Sequence, residues 1–406
     1  MRILVVPNEQ PLPANRGGRI DVWRRLQLLK GMGAQVALLS WYDEPRDGPP
    51  TPAVMAELLG ACDRVHLSAI RRSPAEMLRR LAWVGRWPSH VASRWVTLQR
   101  ADALGFARQF APDLLLLDGL YGVAVVQWLS ARLGVPWVYR SHNIEHLYMQ
   151  RQHRSATAWR ERLAISANLL GLKRLECAVL RQARLVFDIS LADQAFWQAQ
   201  GSKQVVWLPS VVDAGFAQDM QTVSALPPDC DVVYFGNLNS PNNVTAVRWL
   251  VRQVMPALGD RPCSVVLAGS RPSAELRVLV ASDRRLTLRA DPPSIPAIAG
   301  AARVLVNPVQ AGSGVNLKSV EMLFSAAHLI STPAGVQGLP AQAVACFTLA
   351  SAAAEFAQAI AAALDAGPPS AAQLAQRHTA RAAFEPAHAA RVLQQALEPV
   401  LRGARA

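Results

Sequence analysis

The chain is expected to fold as two α/β domains, each a doubly wound sheet of parallel strands, and three observations lead there. Short apolar runs alternate with longer helical patterns from end to end, as repeated strand–helix units do. At 406 residues the chain exceeds what one core ordinarily serves and suits two domains of roughly 200 residues each. A segment at 213–231, with Pro227 and Pro228 in it, splits the apolar runs into two series and reads as an interdomain linker.

The first series opens with a buried-type strand at 3–7. A loop rich in Pro, Asn and Gly follows, then a helix at 21–32 closed by Gly33, then a strand at 35–40. Further strands are expected at 113–117, 137–141, 185–189 and 205–208. The second series has strands at 232–235, 264–268, 286–289, 304–307 and 328–331. An amphipathic helix at 386–401 ends the pattern, and Pro386 suits its first turn, where a missing N–H loses no partner. No short repeat recurs at a fixed period, so a solenoid is not expected. The architecture is two Rossmann-like domains, 1–210 and 211–385, followed by 386–406.

Apolar residues make up 51% and charged residues 17%, enough for two cores and unlike a disordered chain. A formal charge of +13 calls for an anionic partner: nucleic acid, a membrane surface or a phosphate-bearing substrate. The Ala/Arg-rich composition accounts for that excess equally well. Five cysteines (Cys62, Cys177, Cys230, Cys263, Cys346) never form a C-x-x-C pair, which argues against a disulfide framework or zinc site and for a reducing compartment. The opening apolar run is too short for a signal peptide, and no stretch approaches the ~20 apolar residues of a spanning helix. A cytoplasmic protein is expected, at most peripheral to the inner face of a membrane.

Two Gly-rich loops face the carboxyl ends of expected strands, where open α/β sheets bind ligands. In the second domain, Asn307 is followed by Gly312-Ser313-Gly314-Val315-Asn316-Leu317-Lys318-Ser319-Val320-Glu321, with a helix expected from near Gly314. Glycines let backbone amides approach a ligand, and a helix N-terminus offers unpaired N–H groups to a diphosphate. Lys318 and Glu321, three apart, share a helical face. The cation can meet phosphate oxygens, and the carboxylate can accept both ribose hydroxyls. Leu317 stands where a dinucleotide fingerprint wants its third glycine, against a nicotinamide dehydrogenase. The same segment also reads as an ordinary strand–turn–helix with a surface Lys–Glu pair. The first domain carries Arg16-Gly17-Gly18-Arg19 in its first loop, either a second phosphate-facing turn or a flexible surface one.

His142, within Arg140-Ser141-His142-Asn143-Ile144-Glu145-His146, also follows a strand and suits contact with a substrate hydroxyl or phosphate, or a structural role. A metal set of His142, Glu145, His146 and His153 fails the H-E-x-x-H order and lacks a supporting cysteine. Asp229-Cys230-Asp231 precedes a strand and reads as linker.

Taken together these residues resemble family 4 glycosyltransferases, in particular the subgroup with G-N-L-x-x-x-x-N-V and G-S-G-x-x-x-K-x-x-E. Here those are Gly236-Asn237-Leu238 with Asn243-Val244, and Gly312-Ser313-Gly314 with Lys318 and Glu321. Thr332, Gly335, Gly338 and Leu339 match its T-x-x-G-x-x-G-L, and His142-Asn143 with Glu145 its H-N-x-E. The resemblance implies the GT-B fold, with two Rossmann-like domains facing a central cleft and the last helix (386–406) crossing back to the first. It implies a retaining, metal-independent hexosyltransferase using a nucleotide-diphosphate sugar, UDP- or GDP-linked, as donor substrate and no further cofactor. By matched position, Glu321 binds the donor ribose and Lys318 its diphosphate. Gly236, Asn237, Gly312, Ser313, Gly314, Val315 and Asn316 face the donor, Gly17 and Gly18 close over the phosphates, and His142 lies beside the transferred sugar. Arg16, Asn143 and Glu145 fall on the acceptor side. Ser313 replaces a glutamate common in the family, and Asn237 and Asn239 replace an Arg and a Lys.

The acceptor is expected to be a glycan or lipid-linked intermediate of cell-envelope polysaccharide. Trp83, Trp87 and Trp95, interleaved with Arg79, Arg80, Arg86 and Arg94 in 71–100, suit either a membrane interface or a core helix whose arginines snorkel outward. Alternative functions are a nucleotide-sugar epimerase, a non-catalytic partner subunit, or a basic nucleic-acid-binding protein. The last lacks any aromatic RNA motif, zinc finger or long basic tract, so nucleic acid is not the expected partner.

Overall fold

The computed structural model describes residues 1–83, 85–156, 158–202, 204–312 and 314–403. The chain divides into two compact units, Met1–Pro209 joined by the stretch from Ala390 onward, and Ser210–Ala389.

The first unit is built on seven parallel strands: β1 Arg2–Pro7, β2 Gln35–Asp43, β3 Arg64–Ile70, β4 Leu114–Asp118, β5 Trp137–Ser141, β6 Val186–Asp188 and β7 Val205–Trp207. Their order is β3-β2-β1-β4-β5-β6-β7, with Ile3 opposite Leu114 and Leu115 opposite Trp137. Helices cover both faces, so β1, β4 and β5 are buried without alternation. Leu4, Val6, Leu115 and Leu117 are fully buried, each worth about 1.5–3 kcal/mol relative to exposure.

The second unit repeats the plan with six parallel strands: β8 Cys230–Asn237, β9 Val265–Ser270, β10 Leu286–Ala290, β11 Ala302–Asn307, β12 His328–Ser331 and β13 Thr348–Leu349. The order is β10-β9-β8-β11-β12-β13. In each sheet the order reverses beside the first strand, between β1 and β4 and between β8 and β11. A doubly wound sheet opens its ligand crevice beyond the strand carboxyl ends at such a reversal.

Several expectations need correction. The first helix spans Gly17–Gly31, starting at the glycine pair rather than at Asp21. Residues 213–231 are not a bare linker, because Asp213 caps a helix at Ala214–Ser224 and β8 begins at Cys230. Asp231 lies in that strand, where it holds the Ser264 N–H (2.9 Å) and Arg303 (2.9 Å). The segment 71–100 is two helices, Pro74–Leu81 and Ser89–Thr97. Strands β3 and β13 were not anticipated. Among the described residues no helix is long and apolar enough to cross a membrane.

The ends of β8 and β9 fit together only because Gly269 lacks a side chain: an added Cβ would overlap the carbonyl oxygen of Gly236. Gly269→Ala should therefore lower stability by about 3 kcal/mol or more, read as a drop in the urea midpoint. An unchanged midpoint would contradict so close an approach of the two strands.

Candidate functional site

At the switch point of the first sheet, β4 runs through four leucines to a buried carboxylate, Asp118. The helix Gly17–Gly31 leaves β1 beside it and turns Asp21 and Arg25 inward, where both are buried. Arg25 Nε donates to Asp118 Oδ2 at 2.7 Å and Nη2 to Oδ1 at 3.3 Å, and Nη2 also bonds Asp21. Just past β5, His142 Nε2 meets Asp118 Oδ1 at 2.6 Å. Asp21 lies 3.6 Å from buried Arg140 and 3.9 Å from His142 Nε2. Burial alone would raise the Asp118 pKa, but the Arg25 charge and the His142 hydrogen bond more than offset it and hold Asp118 below the usual carboxylate range. Burial likewise draws Arg140 down to about 10.

This arrangement fixes how the imidazole is presented. Among the described residues Nε2 meets the carboxylate oxygens of Asp118 and Asp21, so in the neutral ring it carries the proton and Nδ1 keeps its lone pair. Nδ1 faces the start of the first helix: a Cβ added to Gly18 would lie 4.0 Å from it. Gly17 and Gly18 are exposed there, and Arg16 at the N-cap gives the first turn no side-chain hydrogen bond. The geometry thus offers one aimed acceptor next to the amides of a helix N-terminus.

Sequence reasoning missed Asp21, Arg25 and Asp118. A charged residue ending an all-leucine strand was the available signal for Asp118.

The remaining first-unit residues of the expected site have partners of their own. Arg16 sits 3.9 Å from Glu9 and 4.0 Å from Asp47, the pair that also holds buried Arg19. Glu145 is buried, and its N–H is bound by Glu176 at 2.7 Å. Burial and the Glu176 charge push its carboxyl up to about 8, against hydrogen bonds from Asn143 and Tyr121. His146 bonds Glu176 and packs on Phe196 and Trp197, which makes it a core histidine. The metal set of His142, Glu145, His146 and His153 is therefore not assembled. Among the described residues the acidic/His group that does gather is Asp21, Asp118 and His142. Arg25 already brings a positive charge to both of its carboxylates.

The tryptophans of 71–100 turn inward. Trp83 stacks on Trp87 at 5.0 Å, Trp87 meets Trp95 at 5.4 Å, and Trp87 and Trp95 pack on the core. Arg94 is spent on the backbone carbonyl of Asn8 (2.9 and 3.1 Å) and lies over the Tyr121 ring.

In the second unit the two matched motifs converge at the β8/β11 switch point. Gly236 and Asn237 end β8, and the loop holding Gly312, Gly314 and Val315 leads from β11 into a short helix, Leu317–Met322. That helix begins three residues later than expected, with Asn316 accepting the Lys318 N–H at 3.2 Å as its cap. Ser313 lies outside the described residues. Ser319 anchors the helix to Asn307 (2.8 Å) and to the Gly335 carbonyl (2.7 Å).

Lys318 is buried, with Nζ 3.6 Å from the Tyr234 ring centroid and 3.5 Å from Asn243 Oδ1. A Cβ at Gly236 would stand 3.2 Å from Lys318 Cε and 3.2 Å from Asn243 Nδ2. Gly236, Asn243 and Lys318 thus form one cluster. Burial holds the Lys318 amine well below its usual pKa, and the charge of Glu321 offsets this only in part. Glu321 is itself buried one turn further on.

No family model matches the chain. An uncharacterized 44.6 kDa protein in the cps region of Klebsiella pneumoniae is 25% identical over 352 residues, spanning 83% of this chain and 84% of that protein. Among solved structures, Anabaena HepE in complex with UDP matches 98% of this chain and 100% of its own at TM-score 0.64 and 16% identity. Sucrose-phosphate synthase from Thermosynechococcus elongatus matches 99% and 100% at TM-score 0.66 and 18% identity. The lipopolysaccharide outer core galactosyltransferase WaaB, in its apo form, matches 98% and 100% at TM-score 0.59 and 11% identity. Two Rossmann-like units matched along almost the whole chain by these proteins make the architecture a GT-B fold.

Proposed function

We propose that the chain is a retaining glycosyltransferase that moves a hexose-type sugar from a nucleotide-diphosphate sugar to a glycan or lipid-linked acceptor of cell-envelope polysaccharide. The observation that carries this reading is the cluster of Gly236, Asn243 and Lys318 at the second sheet's switch point, with Glu321 three residues after the lysine. The UDP held by HepE favours UDP as the nucleotide, and the cps-region relative favours a polysaccharide product.

In this reading Lys318 swings from Tyr234 onto the diphosphate, and Glu321 takes the ribose hydroxyls. The open Gly17-Gly18 turn donates amides to phosphate oxygens. His142, with Nδ1 as acceptor, accepts a hydrogen bond from a hydroxyl of the transferred sugar and fixes its orientation. The acceptor hydroxyl attacks the anomeric carbon on the face that the diphosphate leaves, and the departing phosphate oxygen takes the proton. No protein base is then needed. Fixed donors aimed at the developing phosphate charge contribute about 3–4 kcal/mol each, so Lys318 and the amides can serve without a metal ion.

The test is a thermal-shift screen of the purified protein against UDP, GDP, ADP, dTDP and CMP. A nucleotide at about 100 times its Kd adds about 2.7 kcal/mol to stability. UDP should raise the melting temperature, and Glu321→Ala should remove that rise. A protein that answers to none of the five, or a Glu321→Ala variant that answers like the parent, overturns the assignment.

A further inference from the structure

We propose that the first unit carries a docking surface for an anionic lipid bilayer, formed by the outer faces of the helices Pro74–Leu81 and Trp159–Leu169. Eight large apolar side chains are exposed among the described residues of this unit; five lie on these two helices and a sixth, Leu170, caps the second. Met77, Leu78 and Leu81 share one face of the first helix; Trp159, Leu163 and Leu170 run along the second, and all six are between 57% and 69% exposed. Apolar exposure so concentrated marks an interaction surface rather than scattered solvent contact.

Both helices pack against the same element, Ser89–Thr97. Asn168 accepts the His90 N–H at 2.8 Å, and Ile165 and Leu169 turn to the core. The exposed residues are therefore the sides left over once the packing is made.

Charge selects the occupant. Arg79, Arg86, Arg154, Arg160 and Arg162 are exposed on or beside these segments, against the acids Glu76 and Glu161. A second copy using the same face would set arginine against arginine, because a two-fold contact pairs a patch with itself. A nucleic acid would satisfy the arginines but leave Leu78 and Trp159 in water. Anionic headgroups over an acyl layer satisfy both.

The surface is also joined to the site. Arg94, on the helix Ser89–Thr97, grips the Asn8 carbonyl just past the end of β1. A bilayer seated here holds a lipid-borne acceptor beside those strand ends. Docking itself needs no catalysis, so it can fail or hold independently of the proposed reaction.

The experiment is co-sedimentation of the full chain with phosphatidylglycerol vesicles and with phosphatidylcholine vesicles, at low and high salt. Binding is expected to the anionic vesicles alone and to weaken with salt. Leu78→Glu and Leu163→Glu should each cut binding about tenfold, and together abolish it. Melting temperature and nucleotide response should stay at the parent's values. Absent binding, or binding that the double variant keeps, overturns the proposal. So does a parent dimer that the same substitutions dissociate, which would assign the face to a second copy.

Discussion

Lys318→Met will remove the nucleotide response and raise the melting temperature of the ligand-free protein. Methionine keeps most of the side-chain volume beneath Gly236 and beside Tyr234 but carries no charge. Losing the cation proposed to meet the diphosphate should cost about 2–3 kcal/mol, roughly 30- to 150-fold in Kd for UDP. The gain in the free protein follows from burial. An amine whose pKa is depressed on folding holds fewer protons in the native chain than in the unfolded one. Stability then rises with pH from the depressed value up to the ordinary 10.5, and below that window Lys318 costs stability. Methionine erases that slope, and each kcal/mol regained should add about 2–4 °C.

Ligand affinity should run the other way with pH. The bound diphosphate favours the charged amine, so binding takes up a proton and weakens as pH rises above the depressed value. Melting curves with and without UDP across pH check both signs. A variant less stable than its parent, or one that still responds to UDP, would contradict the account.

Asp118→Asn is expected to lower kcat on the order of 10²- to 10⁴-fold, with UDP affinity almost unchanged. The carboxylate sets the imidazole tautomer through its 2.6 Å contact with Nε2. An amide there donates its N–H to Nε2 and moves the ring proton to Nδ1, which then cannot accept from a sugar hydroxyl. The same change leaves Arg25 with one charged partner in a buried setting, so a loss of about 3 kcal/mol in stability should accompany it. The split between kcat and UDP binding separates the tautomer effect from general damage, which would lower both. Full activity in Asp118→Asn would remove His142 from the proposed role.

The central strands were legible because burial on both faces favours unbroken apolar runs, as in the four leucines that precede Asp118. The two missed strands lack that signature. In β3 Arg64, His66 and Ser68 alternate with apolar residues at a sheet edge, and β13 is two exposed residues long. The glycine- and lysine-bearing loops could be read from the local conformations they need. Asp21 and Arg25 could not, since an i,i+4 acid–arginine pair on a helix normally signals a solvated face. Only the approach of β4, about ninety residues on, turns that pair inward to Asp118. The tryptophans of 71–100 left two readings open for a similar reason: spacing told of a helix but not which side the rest of the fold would cover.

The first unit is assembled from both ends of the chain, while the second is one continuous stretch. During synthesis the second unit can close as soon as its own residues have emerged. The first unit also needs Leu393 and Leu397, buried residues that are made only after the whole of the second unit. Until then that unit is an unfinished body carrying exposed apolar surface, open to chaperones and proteases. The unit that begins first along the chain is thus the one completed last.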